Sequence, residues 1–155
     1  MGNRGWNIPL ILKRMIECLM ILGALLLIAL PYFWLFGPDG VRNFFAGHSK
    51  DHLVTFLFLE LSGIICWFIL FYLRKLLKTV IISSPFEYCN VMYLKYTSYL
   101  CALAALILLA KTAVDFSPMT PVVAILAILS SLFCQTLAAV FDKAIRLKDE
   151  NDLTI

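Results

Sequence analysis

The chain has few charged residues and lacks the residue patterns that soluble enzymes use for catalysis. Asp, Glu, Lys and Arg make up 15% of its 155 residues, and there are only two histidines. No Walker-type phosphate loop, nucleophile elbow or pair of carboxylates occurs in a polar segment. We therefore expect a non-enzymatic protein with no cofactor and no catalytic residue.

Cysteine and histidine are too sparse and too scattered to predict a metal or redox site. The five cysteines contain no CxxC pair, and their odd number favours packing as small apolar side chains. His48 and His52 are four residues apart, which would place both on one helical face, but Lys50 lies between them. Two histidines alone are a weak signal for metal binding, so the sequence predicts no metal site.

Apolar residues, in contrast, are abundant and occur in long runs. They form 62% of the chain, and the mean hydropathy is +0.90, whereas soluble domains contain about 45–50% apolar residues. Four runs, at 16–36, 53–73, 96–114 and 122–141, are each close to the ~20 residues that a helix needs to cross a bilayer. The sequence predicts one all-α, polytopic membrane domain over residues 1–155. We expect four transmembrane helices, arranged as two antiparallel hairpins in lipid.

The distribution of basic residues predicts the orientation. Ten of the 13 Lys and Arg residues lie on one side of the predicted membrane. They are Arg4, Lys13, Arg14, Arg74, Lys75, Lys78, Lys95, Lys143, Arg146 and Lys148. Because basic residues accumulate in cytoplasmic segments, both termini, a link at 74–95 and a tail at 142–155 are predicted to be cytoplasmic.

Two helix starts are visible in the connecting segments. Ser84 and Pro85 resemble a cap followed by a first helical residue, and Glu87 completes a capping box. A helix that begins here is predicted to continue into the third span. Thr120 and Pro121 form a second start of this kind, after a connection short enough to make spans three and four antiparallel neighbours.

Glu60 is the polar residue that most needs an explanation, because it lies about eight residues inside the second span. A charged side chain at this depth costs at least ~2.5 kcal/mol and is usually paired or protonated. One interpretation is a carboxylate that binds a proton or ligand, and the other is a structural pair between helices. Lys111, near the outer end of span three, is the candidate partner. Alternatively, the Lys111 side chain extends to the outer membrane interface and pairs with Asp115.

Other polar residues in the spans have structural interpretations. Glu17 lies one turn into the first span, beside basic residues with which it can pair at the interface. Ser130, Ser131 and Gln135 form a polar seam on span four, where side chains often hydrogen-bond between helices. Thr55 and Ser62 on span two are the predicted partners of this seam.

Several segments in the second half of the chain resemble a known family. They are residues 73–77 (LRKLL), 84–86 (SPF) with Asn90 and Leu94 downstream, 137–141 (LAAVF) and the tail 146–155 (RLKDENDLTI). These features resemble the bacterial four-helix membrane proteins called domain-of-unknown-function family 2975. The resemblance implies a multi-pass protein of the bacterial cytoplasmic membrane. It also implies a regulatory role with a small helix-turn-helix protein as partner, because family members are often encoded beside such regulators.

Two functions remain open at this point. The first is a regulatory or interaction protein that contacts a cytosolic DNA-binding regulator without binding nucleic acid directly. Its candidate docking residues are Arg74, Lys75, Lys78, Pro85, Phe86, Arg146, Asp149, Glu150 and Asp152. The second is a small proton- or cation-coupled transporter that uses Glu60. Four helices are few for a transport path, so this alternative requires a homo-oligomer.

Overall fold

In the computed structural model, the described residues are 7–38, 40, 52–82, 87–114 and 118–152. They contain four helices and no strand: α1 (Asn7–Phe36), α2 (His52–Ile82), α3 (Tyr88–Val114) and α4 (Met119–Asp152). Each helix is long and apolar enough to cross a membrane. The predicted all-α membrane fold is therefore confirmed.

The helices are longer than the predicted spans, mainly where the basic residues lie. The predicted link at 74–95 largely belongs to helices, because α2 continues to Ile82 and α3 begins at Tyr88. The predicted tail at 142–155 is mostly the end of α4, which continues to Asp152. Hydropathy marks only the part of a helix that lies in hydrocarbon, whereas charged residues such as Lys and Glu extend helices readily in water.

Both helix starts differ from the proline signals by two or three residues. The third helix begins at Tyr88, three residues after the predicted first helical residue Pro85, because Glu87 is not helical; it then runs into the membrane without a break, as predicted. The fourth helix begins at Met119, one residue before Thr120, so that Pro121 lies in its first turn. Proline is well tolerated there because the first turn has no backbone acceptor for its missing N–H.

Large apolar side chains cover the outside of all four helices. Ile28 and Phe36 of α1, Leu57 of α2, Leu106 of α3 and Phe133 of α4 are all more than half exposed. Such exposure would be unfavourable in water, whereas lipid solvates it. The side-chain distribution therefore agrees with a protein that is surrounded by hydrocarbon.

Within the described residues, each helix packs only on its neighbours in the chain: α1 on α2, α2 on α3, and α3 on α4. Side-chain contacts give the directions. Glu17 near the start of α1 meets Arg74 near the end of α2, and Trp34 at the end of α1 stacks on Phe56 at the start of α2. The helix pairs are antiparallel, and the arrangement is open because α1 does not close onto α4.

The tightest packing joins α3 and α4. On α4, Ala124, Ser131, Ala138 and Ile145 are buried at intervals of seven residues. On α3 they face a stripe of mostly small buried residues, which is Val91, Leu94, Ser98, Cys101 and Ala105. Small residues at such spacing let two backbones approach closely, which is a main source of helix association in lipid.

A reciprocal serine pair lies in the middle of this interface. The Ser98 hydroxyl donates to the Ser131 carbonyl oxygen at 3.0 Å, and the Ser131 hydroxyl donates to the Ser98 carbonyl oxygen at 2.9 Å. The two hydroxyl oxygens are 3.1 Å apart. Both polar side chains are buried and fully satisfied, so they hold the two helices in one register.

The predicted pairing of Ser62 with the α4 seam was wrong. Ser131 bonds to Ser98 of α3, whereas Ser62 donates to the Leu59 carbonyl oxygen of its own helix. Ser130 likewise bonds within α4, and Gln135 is exposed. The reason is the helix order, since the backbone of α4 packs against that of α3 and not, within the described part, against that of α2.

The α1–α2 pair is held by larger side chains. The Trp67 indole N–H donates to the Met20 carbonyl oxygen at 3.2 Å. The Trp67 ring lies over Gly23, where a Cβ atom would be 3.6 Å from its Cδ1. A Cβ atom at Gly63 would be 2.9 Å from Leu27, so this glycine lets the two helices approach. The contact is continuous but has no buried polar pair comparable to Ser98 and Ser131 in the described residues.

We expect Ala138→Leu to destabilise the protein by about 1–3 kcal/mol, because the added atoms overpack the α3–α4 interface. Ala138 is 1% exposed, whereas its neighbour Ala139 is exposed. Ala139→Leu is therefore the matched control and should change stability by less than about 0.5 kcal/mol. Denaturant unfolding of the detergent-solubilised variants measures both values, and equal losses would contradict the assigned interface.

Candidate functional site

Charged side chains converge where α1 and α3 begin and α2 and α4 end, which we call the basic end. Arg74 of α2 pairs there with Glu17 of α1, with 3.2 Å between Nε and Oε1. Both side chains remain partly exposed, at 46% and 33%. Glu17 was predicted to pair at this interface, and the structure assigns it a partner on the neighbouring helix. An ion pair this exposed contributes little to stability, at most about 1 kcal/mol.

Aromatic rings support the basic residues of α2. The Tyr72 ring stacks on Tyr96 of α3, with 5.4 Å between centroids. The Lys75 ammonium lies 4.7 Å from the centroid of the Phe71 ring and 5.8 Å from that of Tyr93. Tyrosine and lysine are typical of the membrane–water boundary, where cation–π contacts orient the ammonium group. This layer therefore marks the boundary at the basic end.

The end of α4 is fixed to the start of α3. Ile145 is 3% exposed and belongs to a buried cluster with Val91, Leu94 and Ala138. Leu76, Leu137 and Phe141 pack against this cluster, so α2 also contributes. Further along, the Tyr88 hydroxyl donates to Oδ2 of Asp149 at 3.4 Å. Apolar packing therefore holds α4 as far as Ile145, and an exposed hydrogen bond links Asp149, one turn further, to α3.

Leu147 is a residue of this end that the sequence reasoning missed. Its side chain is 56% exposed, although Ile145, two positions earlier, is almost fully buried. The surrounding residues Arg146, Lys148 and Glu150 are exposed and charged. The seven-residue spacing of the buried α4 residues could have identified it, since this spacing assigns Ile145 to the interface and Leu147 to the outside.

Six of the candidate docking residues lie at the basic end of the molecule, on two different helices. They are Arg74, Lys75 and Lys78 from α2 and Arg146, Asp149 and Glu150 from α4. Arg146 pairs with Asp142 one turn earlier, with 3.2 Å between Nε and Oδ2. Pro85 and Phe86 lie outside the described residues, and so does the side chain of Asp152. We define the basic-end surface as these six residues together with Tyr88 and Leu147.

The structure does not bring Glu60 and Lys111 together. Glu60 lies one helical turn from Phe56 and Gly63, both of which contact α1, so it shares the face of α2 that packs on α1. Lys111 instead lines a cavity of about 160 Å³ bordered by α2, α3 and α4. Glu60 therefore lies on the side of α2 that faces α1, whereas Lys111 of α3 lies on the side of α2 that borders the cavity. Oε2 of Glu60 is buried without a hydrogen-bond partner among the described residues.

The alternative interpretation of Lys111, a pair with Asp115, falls outside the described residues. The predicted histidine pair also lies outside the described residues, since neither His48 nor the side chain of His52 is described. Within the described ranges, no group of three His, Cys, Asp or Glu side chains could hold a metal ion.

A family model described as "Protein of unknown function (DUF2975)" matches residues 48–155. The chain belongs to the DUF2975 family. No curated protein and no solved structure matches it. The resemblance inferred from the second half of the sequence is therefore confirmed.

The matched segment of this DUF2975 protein contains α2, α3 and α4. It includes both the close α3–α4 interface and all residues of the basic-end surface. The family description assigns no activity, so the function has to be inferred from the arrangement of the residues themselves.

We expect Ile145→Ala to release the end of α4, because it removes a buried side chain from the cluster with Val91 and Leu94. The cost should be about 2–5 kcal/mol, as for other large-to-small changes in a packed core. Leu147→Ala is the matched control, with an expected change below about 0.5 kcal/mol. Limited proteolysis between residues 142 and 152, followed by mass spectrometry, compares the two variants. If both are cleaved at the rate of the unaltered protein, the end of α4 is not held as described.

Proposed function

We propose that this protein is a non-enzymatic membrane protein that binds a soluble partner protein through its basic-end surface. The observation that carries the proposal is the end of α4, a helix that is anchored by the buried Ile145 and combines exposed charges with the exposed Leu147. An apolar side chain in a polar surrounding is typical of a protein-binding site. A disordered tail would lack the fixed geometry that such a site needs.

The length of α4 indicates that the basic-end surface lies in water. Its 34 residues correspond to about 51 Å of helix, whereas the hydrocarbon core is about 30 Å thick. About 20 Å of helix therefore extends beyond the hydrocarbon. The excess of Lys and Arg at this end favours the cytoplasm, and we place the protein in the bacterial cytoplasmic membrane.

The charge pattern supports a protein partner over nucleic acid. On the end of α4, Arg146 and Lys148 are followed by Asp149 and Glu150, so the surface carries both signs. Nucleic-acid sites instead concentrate positive charge. A small helix-turn-helix regulator fits the cytosolic location and the family resemblance. Sequestration of such a regulator at the membrane would couple this protein to transcription.

Site-specific photo-crosslinking tests this proposal. A photoreactive residue at Leu147 should yield a covalent adduct with a DNA-binding protein in intact cells, and mass spectrometry identifies it. The same photoreactive residue at Leu132, which is exposed on the membrane-spanning part of α4, is the control and should react with lipid alone. With the photoreactive residue moved to the exposed Lys148, Leu147→Glu should abolish the adduct and change the transcripts that the captured regulator controls. Identical adducts at both positions, or unchanged transcripts, would argue against the proposal.

A second candidate function is proton- or cation-coupled transport by an oligomer. The observation that favours it is Glu60, whose Oε2 is buried without a hydrogen-bond partner in the described part of the chain. Ionisable groups inside a membrane often mark transport paths, because their insertion is costly. Several copies of the four-helix unit would be needed to enclose a path.

Transport in proteoliposomes distinguishes this second candidate from the first. An imposed pH gradient should drive cation flux through the unaltered protein, and Glu60→Gln should eliminate it because the amide cannot titrate. Glu17→Gln, at the basic end, is the control and should retain the flux. Flux that is absent from the unaltered protein, or that persists in Glu60→Gln, would exclude a transport role for this carboxyl group.

A further inference from the structure

A cleft made of two adjoining cavities extends from the end opposite the basic end toward the middle of the helices. Its upper part is the cavity of about 160 Å³ that Lys111 and Thr120 line. Its lower part is a larger cavity of about 450 Å³ lined by residues of all four helices. The two parts share Leu59, Ser62, Leu108 and Val123 as lining residues, so they lie directly against each other.

The lower part of the cleft offers an occupant almost no hydrogen bonds. Trp67 lines it, but its indole N–H already donates to the Met20 carbonyl oxygen. Ser62 also lines it, but its hydroxyl donates to the Leu59 carbonyl oxygen. The remaining lining is mainly aliphatic, including Leu27, Leu70 and Ala127. Such a space favours a hydrocarbon chain over water or a polar solute.

The upper part of the cleft is also mostly apolar but contains a cation. Lys111 stands about one helical turn before the end of α3, where its long side chain can reach the membrane boundary. A cation at the mouth of an apolar cleft is complementary to an amphiphile with an anionic head group. The ammonium group would contact the phosphate while the chain occupies the apolar part.

The length of the cleft agrees with one leaflet of a bilayer. Along α2 the lining extends from Phe58 to Leu70, or about 18 Å of helix. Half of a hydrocarbon core of about 30 Å is about 15 Å, which is the depth that the acyl chains of one leaflet reach. A lipid of the leaflet next to Lys111 therefore fits without crossing the midplane.

We propose that this cleft is a binding site for an anionic phospholipid, with the phosphate at Lys111 and one acyl chain between α1 and the other helices. The site is separate from the basic-end surface and does not depend on the function proposed there. A lipid in the cleft would fill the gap that the open helix order leaves beside α1.

Native mass spectrometry of the full chain tests the head-group contact. The protein is released from micelles that contain equal amounts of phosphatidylglycerol and phosphatidylcholine, and the retained lipids are counted. The unaltered chain should retain phosphatidylglycerol preferentially. Lys111→Gln should lower this preference about fivefold, the effect of one partly exposed ion pair. Lys95→Gln, which changes an exposed lysine on the same helix outside the basic-end surface, is the control and should leave it unchanged.

A second pair of variants tests the acyl-chain position. Ala127→Phe places a ring in the lower cavity and should reduce retention of both lipids, whereas Ala139→Phe lies on the exposed face of the same helix and should not. If Ala127→Phe fails to fold in detergent, Ala104→Phe on the α3 wall replaces it, with exposed Ala102→Phe as its control. Loss of preference in Lys111→Gln with reduced retention in the filled cleft supports the site. An unchanged preference, or equal retention in the filled and control variants, overturns it.

Discussion

The close approach of α3 and α4 determines how the rest of this protein is arranged. Lipid supplies little hydrophobic driving force between helices, so association depends on van der Waals contact and hydrogen bonds. Ala105, Ala124 and Ala138 allow that contact, and Ser98 with Ser131 adds satisfied hydrogen bonds. The same interface continues to Ile145, outside the predicted span. The position of the basic-end surface is therefore a consequence of packing inside the membrane.

The α1–α2 pair shows what happens where this kind of packing is absent. Its contacts depend on Trp67 over Gly23, on Leu27 against Gly63, and on the exposed ion pair of Glu17 with Arg74. Among the described helices α1 packs on α2 alone, and the side of α1 that faces α2, with Gly23 and Leu27, also borders the cleft. One closely packed pair and one loosely packed helix in the same chain explain why the arrangement is open.

The sequence allowed prediction of the helices but not of their order. Hydropathy and proline signals predict the helix ends opposite the basic end to within a few residues. They miss the extensions at the basic end, since Lys75 and Arg146 continue a helix without lowering its stability. Glu60 and Lys111 are predicted at similar depth, yet depth contains no information about which faces of two helices meet. Ser98 belongs to a stripe of small residues, which is evident only when the spacing of such residues is compared on both helices.

The polar groups within the membrane-spanning helices, the Ser98–Ser131 pair and Glu60, have different surroundings. Ser98 and Ser131 are paired in the tightest interface, where mutual hydrogen bonds offset the cost of burial. Glu60 lies instead on the face of α2 toward the loosely packed α1, and its Oε2 has no hydrogen-bond partner in the described residues. A carboxyl group that served only to hold helices together would be expected where packing is close. Glu60 lies instead beside the most loosely held helix, and this position favours a functional role for its carboxyl group. Its predicted pairing with Lys111 is not observed.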